Sequence, residues 1–120
     1  MIAVMKKVAV VRGVAWLLFV AVIALTVIPP GLRPISGLPH AAEHLIIFLL
    51  LGASFALGYP HHAYSLCFLG IIFVAALEIT QIFIPGRHAR LSDFIVDAAS
   101  TCAGIAVTAL LARAADRKPP

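Results

Sequence analysis

Charge is scarce in this sequence. Among 120 residues, nine are Lys or Arg and five are Asp or Glu, 12% together, against about 25% in an ordinary soluble domain. So few charges cannot coat a water-facing surface, which argues against a soluble globular domain. Cysteine is as sparse. Cys67 and Cys102 both sit inside apolar runs, where they read as small buried thiols rather than as the staples of a secreted module. A glycine-rich phosphate loop, a serine nucleophile elbow and paired-cysteine metal sites are all missing, which removes the familiar nucleotide-dependent and hydrolase classes. The net charge of +4 comes from scattered basic residues with no aromatic-basic face, so no nucleic-acid partner is expected. Apolar residues, by contrast, make up 62%. That surplus excludes a disordered chain and indicates a protein whose solvent is mostly lipid.

A membrane-spanning helix needs about 20 mostly apolar residues, and the chain supplies that length four times, at about 8–28, 40–59, 63–84 and 91–111. Pro29, Pro30 and Gly31 stop the first run, Gly58 to Pro60 the second, and Pro85 with Gly86 the third. Lys6 and Lys7 ahead of the first run also fit a signal peptide, but the run is long and no small-x-small cleavage site follows it before the prolines, so an uncleaved helix is expected. The connections are short and predict antiparallel packing of sequential helices. The expected fold is all-α: one domain, an integral membrane bundle of four transmembrane helices.

Lys and Arg positions set the orientation. Lys6, Lys7, Arg12, Arg113, Arg117 and Lys118 share one side, and Arg33, Arg87 and Arg90 the other. Both termini are therefore predicted in the cytoplasm, with the segments 29–39 and 85–90 facing outward.

This topology gathers the acids. Asp116 reads as a solvated tail residue, but Glu43, Glu78, Asp93 and Asp97 all fall in the outer half. His40 and His44 share a helix face; so do Glu78 and Gln81; Asp93, Asp97, Ser100 and Gly104 form one stripe. A carboxylate at mid-span costs about 2.5–3.5 kcal/mol to insert. Four of them are expected to meet in a polar pocket open to the outside. Asp93 also suits a simple helix-start role, and Glu78 and Asp97 also suit inter-helix hydrogen bonds.

The run Glu78-x-x-Gln81, Pro85-Gly86-Arg87, Ser92-Asp93, Asp97 and Gly104 resembles the VanZ-like family of small bacterial membrane proteins. That family's pattern reads roughly E-x-x-Q-x-x-x-P-G-R, a few residues, D-x-x-x-N-x-x-G-x-x-x-G. Its histidine and following aromatic match at His44 and Phe48, and the resemblance covers about residues 8–111. Where the family has Asp-Lys, this chain has His40-Ala41; its asparagine is Asp97 here, and its first following glycine is Ser100. The resemblance implies a protein of the bacterial cell (inner) membrane and cell envelope, in a family linked to resistance to a glycopeptide antibiotic. It carries over motif positions and no catalytic residue.

The expected function is binding of an anionic lipid headgroup or a lipid-linked envelope precursor, and the reading leans away from an enzyme, with no cofactor or metal. The binding residues are His44, Glu78, Gln81, Arg87, Arg90, Asp93 and Asp97, the arginines serving as forked donors to phosphate or carboxylate. One alternative is a metal-dependent membrane enzyme, since His40, Glu43 and His44 fit the HxxEH pattern. Another is a proton-coupled carrier using the buried acids. The small-x-x-x-small step from Ser100 to Gly104 permits close helix contact within one chain or between copies, which leaves a homo-oligomer open.

Overall fold

The computed structural model describes residues 2–28, 30–32, 37–84, 86 and 90–116. Among them are four α-helices, α1 (Ile2–Val27), α2 (His40–Gly58), α3 (Ala63–Gln81) and α4 (Leu91–Asp116), and a short 3-10 turn at Pro30–Leu32. All four helices are long and apolar enough to cross a membrane. The two shorter ones have 19 residues, about 28 Å at 1.5 Å per residue, matching a hydrocarbon core of about 30 Å.

The boundaries differ from the expected ones where local chemistry acts. α1 begins at Ile2 and α4 runs on to Asp116, because the flanking Ala, Met, Lys, Leu and Arg are good helix formers that composition alone counts as tails. Asp116 is thus the last residue of a helix, exposed, rather than part of a tail. α3 ends at Gln81, three residues early. Ile82, Phe83 and Ile84 donate their amides three residues back, to Ile79, Thr80 and Gln81, the tighter winding that commonly closes a helix. Gly86 takes φ 81°, a left-handed conformation that glycine adopts without strain.

Packing is not simply between sequence neighbours. The tightest pair is α2 with α4, and since α3 returns between them these two run parallel. A Cβ on Gly52 would run into the Thr101 carbonyl, and one on Gly104 into the Leu49 carbonyl. The small-residue step from Ser100 to Gly104 is therefore filled by α2 of the same chain. Val22, Phe48, Leu51, Val74 and Leu77 form the apolar centre where the helices meet. Most other large apolar side chains face outward, Leu17 at 71% exposure and Phe83 at 80% among them. The buried set meanwhile includes Thr26, Glu78, Gln81, Asp97, Ser100 and Thr101. Polar groups inside and apolar groups outside is the arrangement lipid selects.

Candidate functional site

The polar residues meet at one end of the bundle, where α2 and α4 begin and α3 finishes. Parallel alignment of α2 and α4 turns two i, i+4 pairs into two rungs. His44 Nδ1 lies 2.7 Å from Asp97 Oδ1, a hydrogen bond with Asp97 almost fully buried. One turn nearer the end, His40 Nε2 lies 3.8 Å from Asp93 Oδ1, with His40 half exposed. The two imidazoles are 4.1 Å apart between centroids, and His44 stacks on Phe48 below it. Thr101 donates its hydroxyl to the Asp97 carbonyl at 2.8 Å. The ladder therefore descends from a solvent-accessible rung to a dry one.

Glu78 closes the third side. It is 8% exposed, and Asp97, Asp93 and His44 all lie within electrostatic reach of its carboxyl, with the Arg90 backbone N–H beside it. Its Oε2 is buried and accepts no hydrogen bond from the described residues. A buried polar atom in that state costs about 1–3 kcal/mol, so it marks a place where a donor is missing. Gln81, one turn on, is buried on the same face. The N-termini of α2 and α4 both point their partial positive charge at this end, which favours the carboxylates of Glu43 and Asp93 in their first turns.

The structure brings His44, Glu78, Asp93 and Asp97 together at this end, and Gln81 is buried one turn from Glu78 on α3. Arg90 stands immediately before α4, its carbonyl accepting from the Phe94 amide, with its side chain exposed. Arg87 lies outside the described residues. The sequence puts His40 on the same face as His44 and in the HxxEH pattern but not among the binding residues; its place opposite Asp93 comes from the structure. The signal was present: His40/His44 and Asp93/Asp97 have the same spacing, which two parallel helices bring into register. The HxxEH pattern does not assemble further, since among the described residues no group of three or more His, Cys, Asp or Glu is placed to hold a metal ion.

Chemically, the site is rich in acceptors. An ionised carboxylate only accepts hydrogen bonds, so a group entering beside Glu78 in that form would donate them, as hydroxyls, amides and ammonium groups do. Comparison with protein-family models, curated proteins and solved structures finds no match.

Proposed function

We propose that this chain is a VanZ-like membrane protein of the bacterial cell envelope whose polar end binds the headgroup of an anionic lipid or lipid-linked envelope precursor. In this reading both termini lie in the cytoplasm and the polar end opens outward. The sugar, amide or amine part of the headgroup enters the pocket and donates to Glu78, Asp93 and Gln81. Its phosphate or carboxylate stays at the rim, where Arg90 supplies a forked, permanently charged donor, with Arg87 as the second such donor in the sequence. The His44–Asp97 pair holds the pocket floor in place. A part in glycopeptide tolerance would follow if the bound precursor is the one such antibiotics recognise.

One observation carries this reading: the buried Glu78 Oε2 that no described residue satisfies, set among side chains from three helices. A purely structural cluster would be expected to satisfy itself. The test is mass-spectrometric identification of lipids retained by the purified protein in mild detergent, compared with Glu78→Ala and Glu78→Gln. The wild type is expected to retain a hydroxyl- or amine-bearing anionic lipid that both variants lose. Unchanged retention in both variants overturns the reading and favours a proton-coupled carrier, which would use the same His–Asp rungs.

A further inference from the structure

The opposite, basic end of the bundle holds a second feature. A cavity of about 460 Å³ opens between the helices, lined by α1, α2, α3 and α4, within the range of about 300–1,000 Å³ typical of ligand sites. Trp16, Phe19 and Phe55 frame it edge to face, and Gly70 leaves room along α3. It runs from Tyr59 to Leu51 along α2, about 12 Å at the helical rise.

Every polar side chain in its wall is already occupied. The Trp16 indole N–H donates to the Tyr59 hydroxyl at 3.0 Å, and the Thr101 hydroxyl donates to the Asp97 carbonyl. Apart from the Tyr59 O–H, which keeps its own proton to donate, the wall offers nothing to water or to a polar ligand, and an apolar void left empty forfeits contacts on all its walls.

The mouth is different. Arg12, one turn before Trp16, donates from Nε to the Gly58 carbonyl at 2.7 Å, and its guanidinium carbon sits 4.4 Å from the Tyr59 ring centre. Among the described residues no carboxylate pairs with it. Those two contacts fix the guanidinium beside Tyr59, a residue of the groove wall, and leave its terminal amino groups for an anion. Lys6 and Lys7 add positive charge on the same helix, and Arg113 on α4 at the same end.

We infer that this groove is a lipid site: one acyl chain of an anionic phospholipid lies between Trp16, Phe55 and Phe73, with its phosphate on Arg12. It lies at the other end from the His–Asp rungs and does not rest on their function.

Trp16 is the only tryptophan in the chain and lines the groove, so its fluorescence reports the occupant. The full-length protein is reconstituted into phosphatidylcholine nanodiscs with a minor fraction of either chain-brominated phosphatidylglycerol or chain-brominated phosphatidylcholine. The anionic brominated lipid is expected to quench Trp16 severalfold more strongly than the zwitterionic one. Arg12→Gln is expected to abolish that excess, and Lys7→Gln, which removes a charge away from the mouth, to preserve it. Equal quenching by the two lipids in the wild type overturns the proposal without recourse to any variant. Equal loss in Lys7→Gln and Arg12→Gln also overturns it, as general surface attraction. Native mass spectra showing a dimer with no retained lipid would assign the groove to a second copy instead.

Discussion

At the residue scale the decisive contact is His44 with Asp97. Asp97 is buried and His44 nearly so, the two are hydrogen-bonded, and on α4 the pair sits one turn before Thr101, where Gly52 makes its close approach. Asp97→Ala leaves the imidazole unpaired in a dry setting and is expected to cost about 1–3 kcal/mol, read as a lower thermal midpoint in detergent. Asp97→Asn keeps an oxygen that accepts from the imidazole while removing the charge, and should cost less than about 1 kcal/mol. The resembled family carries asparagine at this position, so the comparison separates what the shape needs from what the charge adds. If the two variants are equally destabilised, the negative charge rather than the hydrogen bond holds the rung together.

At the scale of elements, the α2–α4 seam bears the site. Its closeness depends on missing side chains at Gly52 and Gly104, each of which brings a backbone carbonyl of the other helix to within contact. Gly104→Leu is expected to force the helices apart, costing about 1–3 kcal/mol or more as overpacking and lowering the thermal midpoint. Gly13, with open space around it, is the control: Gly13→Ala should stabilise α1 by about 0.5–1 kcal/mol by lowering the entropy lost on helix formation. Equal effects at the two positions would mean that the seam is looser than its geometry. The seam also explains what was legible beforehand. The stripe of Asp93, Asp97, Ser100 and Gly104 follows from the 3.6-residue period alone. Its partner does not, because short connections suggest sequence neighbours, while the closest partner of α4 is α2.

At the scale of the whole molecule, four helices that alternate in direction bring the start of α1 and the end of α4 to one side. The basic residues at that end, Lys6, Lys7, Arg12 and Arg113 among the described ones, predict that this side is cytoplasmic. Reporter fusions after residue 120 are expected to be active when the reporter works only in the cytoplasm and silent when it works only outside. The reverse pattern would turn the polar pocket inward and remove any ligand confined to the outer face. The molecule is then divided along its length: a charged, acceptor-rich cluster of side chains at one end and an apolar aromatic groove beyond it, with Arg12 stacked on Tyr59 of its wall.

Hydropathy and proline punctuation, read along the chain, determined that there are four long apolar helices, roughly where they stop, and which acids share a face. These are local properties, set by backbone hydrogen bonding in lipid and by helical period. Which faces meet was decided only by the tertiary structure, because parallel pairing of α2 and α4 depends on side-chain volumes at residues far apart in the chain. That pairing set His40 opposite Asp93 and His44 opposite Asp97, left Glu78 Oε2 without a donor among the described residues, and opened the groove behind Trp16.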